Sequence, residues 1–279
     1  MHTPHGTLAR GSLVTLLALL LAVPWIHPFS WGPSPDMLQR LITAGCGAGF
    51  LLVWALGRRW LSLHLLARTV AVAWLAAALL SSVMALLQYF GQVDGGLADW
   101  ITRTDAGSAF ANLRQRNQFA SLTSIGLVSV LFMAQWQARR LLDHAPLVRQ
   151  LLLAAAILLL ALGNAASSSR TGAVQWLLVA GMALLWDRQG QHPVLRWSVL
   201  ALCLYLAANL VLPLLLQMQT GQVPLNALDR FNENAGSQSR MVLWGQCAGA
   251  HPREALVGLG LGRAQVRALH VPLCRRALQ

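Results

Sequence analysis

Residues 65–90 read LLARTVAVAWLAAALLSSVMALLQYF. One charge, Arg68, sits near the start of this run, and Leu, Ala and Val follow without strand-like alternation. About 20 apolar residues suffice to cross a bilayer core as a helix, and in lipid only helices and closed barrels satisfy their backbone polar groups. The run predicts a membrane-spanning helix. Working outward from it, similar runs occur at 11–26, 38–57, 118–136, 149–166, 172–186 and 195–216. The expected fold is an all-α polytopic integral membrane protein of about seven transmembrane helices, with residues 1–216 as the bundle. The first and sixth runs are short, so their ends are the least defined. The charged start at Arg10 and the apolar stretch behind it resemble a signal peptide, yet the further spans predict a retained anchor.

Composition agrees. Of 279 residues, 56% are hydrophobic and 11% charged, against about 25% charged in water-soluble domains. The formal charge is +12, from 21 basic and 9 acidic residues, and every basic residue is arginine. The missing lysine reflects either a preference for bidentate phosphate binding or a GC-rich genome that favours arginine codons. Cys46 and Cys203 lie in apolar runs, and Cys247 and Cys274 near the C-terminus, so the four make no disulfide framework and identify no redox compartment. Gly45, Gly47 and Gly49 either allow close helix approach or are ordinary membrane glycines.

With a cytoplasmic N-terminus, the inward loops carry Arg10, Arg58, Arg59, Arg68, Arg139, Arg140, Arg149, Arg188 and Arg196, as the positive-inside rule asks. The outward segments are then 27–37, 91–117, 167–171 and the chain beyond 216. Arg103, Arg114, Arg116, Arg170, Arg230 and Arg240 fall on that side, against the bias. Either acids such as Asp105 and Asp229 offset them, or they form a basic pocket for a phosphate-like anion.

Three outward stretches hold the chemistry. The first, Ala-Asn-Leu-Arg-Gln-Arg-Asn-Gln-Phe-Ala at 111–120, brings Arg114, Gln115, Arg116, Asn117 and Gln118 to the start of the fourth span. Asn117 suits a helix N-cap, and a helix N-terminus flanked by arginines also suits an anion. The second, Gly-Asn-Ala-Ala-Ser-Ser-Ser-Arg-Thr-Gly at 163–172, places Ser169 and Arg170 at the outer boundary. There the guanidinium either snorkels to headgroups or pairs with an anion. The third runs from Asp229 to Trp244, where Ser237 or Ser239 caps a surface helix beginning at Arg240.

Taken in order, Gln-Arg-Asn-Gln-Phe-Ala at 115–120, Ser-Ser-Arg-Thr-Gly at 168–172 and Ser-Arg-Met-Val-Leu-Trp at 239–244 resemble motifs of the bacterial O-antigen ligase and O-oligosaccharyltransferase superfamily. That superfamily includes the O-antigen polymerases. The resemblance covers about residues 60–244 and is nearest the protein O-glycosylation branch. It implies an inner-membrane transferase that moves a glycan from a polyprenyl-diphosphate carrier to an acceptor hydroxyl at the periplasmic face, without metal, nucleotide or other cofactor. The acceptor is a protein such as pilin, or lipid A core; membrane lipid surrounds the site, and nucleic acid is not an expected partner. On this resemblance Arg170 and Arg240 are the catalytic residues at the diphosphate, and Arg114, Gln115, Arg116, Asn117 and Ser169 bind substrate. Cations preorganised at a leaving diphosphate stabilise the transition state more than the ground state. The family's late loop histidine has no good counterpart in this chain.

The resemblance makes 217–244 the start of a large periplasmic loop, after which the family continues with an aromatic, glycine-rich segment and further helices. Here Ala-Leu-Val-Gly-Leu-Gly-Leu-Gly-Arg-Ala at 255–264 follows instead. With permitted codons, reading that segment one base later gives Pro-Trp-Leu-Gly-Trp-Gly-Trp-Gly-Glu-Leu. The expectation is that an extra base after the codon of Trp244 makes 245–279 an out-of-frame tail on an incomplete, inactive bundle. The other possibility is a disordered basic tail drawn to headgroups. If the tail is out of frame, His251 and His270 are accidents and the glycines of 258–262 are no nucleotide loop; a dinucleotide fingerprint would in any case need a strand before it and a helix after it. A different class, a transporter or flippase component, predicts polar residues along a path at mid-membrane depth. Here the span middles are Leu, Ala and Val, and the polar groups gather at the outer ends.

Overall fold

The computed structural model describes residues 4–28, 36–113, 115–136, 146–186 and 193–221. They form α1 (Pro4–Ile26), α2 (Asp36–Gly57), α3 (Leu63–Tyr89), a short 3-10 turn (Gly95–Asp99), α4 (Arg116–Trp136), α5 (Pro146–Ala166), α6 (Arg170–Trp186) and α7 (Pro193–Thr220). All belong to the first of two units, Met1–Arg230. The chain is an all-α polytopic membrane protein, with one helix for each apolar run. Among the described residues five helices, α2, α3, α4, α5 and α7, are long and apolar enough to span a bilayer. The two short runs are α1, whose apolar part is Arg10–Ile26, and α6, which has 17 residues. The last helix runs to Thr220, past the expected end at 216. Arg114, Arg240, nearly all of the expected loop start at 217–244, and the tail at 245–279 lie outside the described residues.

Local chemistry sets the helix ends. The hydroxyl of Ser62 accepts from the Leu65 N–H at 3.3 Å and starts α3. At the other end the Phe90 N–H returns to the Leu86 carbonyl and Gly91 turns the chain at φ +65°. Pro24 and Pro213 lie inside α1 and α7, where each removes one helical donor.

Packing inverts the pattern of a soluble bundle. The buried face of α3 is Ala71, Ala73, Ala77, Ala78, Ser81, Ser82 and Ala85, whereas Leu51, Leu52, Leu80, Leu151, Leu152, Leu177 and Leu185 point outward. In water so large an apolar surface would aggregate; in lipid it is the natural exterior. Lipid gives helices no hydrophobic reason to associate, so close approach of small residues takes over. Gly126 of α4 lies against Ala78 and Leu160, and Gly163 of α5 lies against Ser82. Through these contacts α3 and α4 form the centre: α3 packs on α1, α4 and α5, and α4 also reaches α6 and α7. Only 6% of the apolar window of α2 is buried, which leaves that helix facing lipid on most sides. Of its three glycines, Gly49 meets Leu20 of α1, while Gly45 and Gly47 have open space beside them.

The two ends of the bundle differ. At one end Gly57 touches Leu13 and Leu61, and Arg149 and Arg196 share a cleft with Ala134. Arg10, Arg58 and Arg59 belong to this arginine end by their places in α1 and at the end of α2. The opposite, loop end gathers the ends of α1, α3 and α5, the starts of α4 and α6, and the 90–115 connection.

Candidate functional site at the loop end

One buried amide holds the 90–115 connection to the bundle. Gln88, fully buried in the last turn of α3, donates from Nε2 to the carbonyls of Thr102 (2.7 Å) and Ala111 (2.8 Å). Its Oε1 accepts from the backbone N–H of Phe110 (3.0 Å) and Ala111 (2.7 Å). Ala111 has φ +52°, a left-handed conformation costly for a residue with a Cβ, and the clamp on both of its backbone groups holds it there. Asn112 extends the anchorage. Its Nδ2 donates to the carbonyls of Trp100 (2.8 Å) and Ile26 (3.3 Å), and its Oδ1 accepts from the Thr102 N–H (3.1 Å). The connection thus ties α1 to α3 and delivers the chain to α4 in a defined position.

The start of α4 differs from the sequence expectation in detail. The helix begins at Arg116, and the Gln115 carbonyl accepts from the Phe119 N–H at 3.1 Å, so Gln115 occupies the cap position. Asn117 is the second helical residue. Its side chain reaches sideways instead, and its Oδ1 accepts a 2.8 Å hydrogen bond from the Ser169 hydroxyl. Half-buried Arg116 donates from Nη2 to Ser108 Oγ at 2.6 Å. Gln115, Asn117 and Gln118 are exposed, whereas Phe119 and Ala120 are buried.

The serines between α5 and α6 divide the work of a tight turn. Ser167 Oγ donates to the Asn164 carbonyl at 2.6 Å and accepts from the Ser169 N–H at 3.2 Å. Ser168 takes φ +49°. Ser169 Oγ accepts from the Gly172 N–H at 3.4 Å, which caps α6, while its own proton goes to Asn117. All three serines are buried, and Arg170, the first residue of α6, is half-buried beside them. No acidic residue occupies the first turn of α6. A guanidinium at a helix N-terminus opposes the helix dipole, so anions are favoured next to it.

Two more bonds continue the seam between α4 and α6. Gln175 Nε2 donates to Ser121 Oγ (3.0 Å) and Ser124 Oγ donates to Gln175 Oε1 (2.9 Å). Residues 117, 121 and 124 share one face of α4, so the seam is a single polar stripe. It brings together two sequence candidates directly, Asn117 and Ser169, and with them their chain neighbours Arg116 and Arg170. Gln115 stands exposed one residue ahead of Arg116.

Two residues at this end escaped the sequence reading. Gln88 was part of an apolar run with nothing but its type to mark it. Asn164 is fully buried, and its side chain lies against Gly172 in the first turn of α6, where any Cβ would collide with its Oδ1. Neither Asn164 Oδ1 nor Nδ2 has a hydrogen-bond partner among the described residues. A lone asparagine three positions before a serine triplet was the available signal.

The segment from the end of the connection through most of α4 is the part similar to known proteins. Residues 109–134 match a family described as protein glycosylation ligase. The match contains Arg116, Asn117, Ser121 and Ser124, which is the α4 half of the polar seam. No curated protein and no solved structure gives a significant match to the chain.

Proposed function

We propose that this protein is a glycan transferase of the bacterial inner membrane, which moves an oligosaccharide from a polyprenyl-diphosphate donor to an acceptor hydroxyl at the periplasmic face. The acceptor is a protein serine, as on pilin, with lipid A core as the alternative. The observation that carries the proposal is the Asn117–Ser169 hydrogen bond. It joins the start of α4, inside the glycosylation-ligase match, to the Ser-Arg turn of α6, and so brings two arginine-bearing helix starts to one end of the bundle.

In this reading Arg170 is catalytic. Its guanidinium, at the positive end of α6, faces the charge that grows on the diphosphate as the anomeric C–O bond breaks. Arg240 shares that role, and Arg114, Gln115, Arg116, Asn117 and Ser169 hold glycan or phosphate. Ser169 does so through Asn117 and the cap of α6. The arginines of the opposite end support a cytoplasmic location for that end, which leaves the loop end periplasmic.

A transport role asks for polar groups along a path across the membrane. Ser81, Ser82, Thr123, Ser124, Asn164 and Gln175 all lie in the half of the bundle next to the loop end. Deeper, Ser129 and Asn209 bond to carbonyls of their own helices four residues back. This favours chemistry at an interface.

Binding of a polyprenyl-diphosphate-linked glycan to the chain in nanodiscs tests the proposal without needing an acceptor. Arg170→Ala and Arg116→Ala are each expected to weaken binding about 10-fold or more, and a polyprenol without diphosphate is expected not to compete. Unchanged affinity in both variants removes the arginines from the site. Where transfer to an acceptor is measured, Arg170→Ala is expected to abolish it.

A further inference from the structure

The starts of α5 and α7 carry the same short pattern. Pro-Leu-Val-Arg-Gln at 146–150 and Pro-Val-Leu-Arg-Trp at 193–197 both place proline first and arginine fourth. The two helices pack together, and equivalent positions face a common space. Arg149, Gln150 and Leu153 of α5 and Arg196, Trp197 and Leu200 of α7 line a cleft of about 340 Å³, with Ala134 of α4 as a further wall. The cleft lies at the arginine end, across the bundle from Asn117 and Ser169.

The cleft lies beside the first two turns of both helices, and neither has an acid in its first turn. Two positive helix ends and two guanidiniums therefore converge on one space, which favours a negative ligand. The surroundings are apolar. Leu147, Leu151 and Leu152 on α5 and Val199 on α7 are all exposed on the bundle surface. A ligand that fits must carry anionic oxygens at the depth of the first helical turn and hydrocarbon alongside the leucines and valine. Free phosphate meets the first demand only.

We propose that this cleft binds an anionic phospholipid of the adjacent leaflet, with its phosphate between Arg149 and Arg196 and its acyl chains along Leu153 and Leu200. Guanidinium forks match phosphate oxygens, and a basic pocket between transmembrane helices is a suitable seat for an acidic headgroup. Trp197 places an amphipathic ring at the same level, where headgroups meet hydrocarbon. The proposal concerns the membrane-embedded bundle and stands whether or not the loop end transfers glycans.

Native mass spectrometry of the full chain, released from detergent with phosphatidylglycerol, diphosphatidylglycerol or phosphatidylcholine, provides the test. The anionic lipids are expected to be retained about 10-fold more than phosphatidylcholine. Arg149→Ala combined with Arg196→Ala should abolish that preference, whereas Arg58→Ala with Arg59→Ala, at the same end but away from the cleft, should keep it. Leu200→Trp retains both arginines and fills the cleft, so it should also lower retention and covers the case in which the double arginine variant misfolds. Preference unchanged in both the double arginine variant and Leu200→Trp overturns the proposal. So does displacement of the lipid by an equal concentration of inorganic phosphate, which would make the cleft a site for the free anion.

Discussion

The hydroxyl of Ser169 gives its proton to the side-chain carbonyl of Asn117 across 2.8 Å, while its oxygen accepts from the Gly172 N–H. One serine thus caps α6 and ties it to α4. Ser169→Ala removes both bonds and is expected to cost about 1–2 kcal/mol. Asn117→Ala removes only the bond between helices and should cost about 0.6 kcal/mol, the usual scale for such bonds in membranes. Unfolding titrations of the two single variants and the double variant check this as a cycle. Strict additivity would mean that the bond does not couple the helices.

Gln88→Leu keeps the side-chain size but abandons the buried N–H and carbonyl of Ala111, together with the part-buried Thr102 carbonyl and Phe110 N–H. Each buried group left unsatisfied costs about 1–3 kcal/mol, so a total loss of at least 3 kcal/mol is expected. Amide exchange at Phe110 and Ala111 should accelerate together, since both N–H groups donate to Gln88 Oε1. Gln88→Glu should do nearly as badly, because a carboxylate has no proton for the carbonyls of Thr102 and Ala111. Normal exchange rates in both variants would show that the clamp is dispensable.

Gly126 of α4 and Gly181 of α6 should respond in opposite ways. A Cβ on Gly126 would stand 2.6 Å from Ala78 Cβ and 3.1 Å from Leu160 Cδ2, so Gly126→Ala forces α3, α4 and α5 apart at about 1–3 kcal/mol. A Cβ on Gly181 meets nothing within 4 Å, and Gly181→Ala should be neutral or stabilise by up to about 1 kcal/mol. Thermal midpoints of the two variants decide the matter.

Acidification should loosen the junction of α1 with the connection. His27, buried just past the end of α1, has its pKa lowered by desolvation from an ordinary value of 6.5. Above pH 6.5 the imidazole is neutral both folded and unfolded and contributes no pH dependence. As pH falls below 6.5, the unfolded chain binds a proton that folded His27 resists, so stability drops until the folded pKa is passed. His27→Gln should flatten this part of the profile between pH 7.5 and 5.5. An unaltered slope would assign the acid sensitivity to other groups.

Part of the loop end was legible in the residues themselves. Arg116, Asn117, Ser169 and Arg170 stood out because polar residues at the ends of apolar runs have few reasons to be there. Their division of labour was not legible. Asn117 had the right chemistry and nearly the right position for an N-cap, yet a hydroxyl 52 residues away takes its oxygen and the cap position falls to Gln115. The serine triplet is used within the fold: Ser167 closes α5 and Ser169 caps α6. Gln88 gave no sign at all, since its four partners lie 14 to 23 residues further along the chain.

The amino-acid order alone determined that this is a helical membrane protein and where the apolar part of each helix lies, because hydropathy over about 20 residues and backbone satisfaction in lipid are local demands. It also determined the arginine bias between alternate connections. Only the tertiary structure decided which helix ends meet and which polar side chains pair. Those choices depend on where alanine, serine and glycine let backbones approach, as Gly126 does at Ala78 and Gly163 at Ser82. Such approaches are properties of two surfaces in contact, and neither strand of sequence contains them by itself.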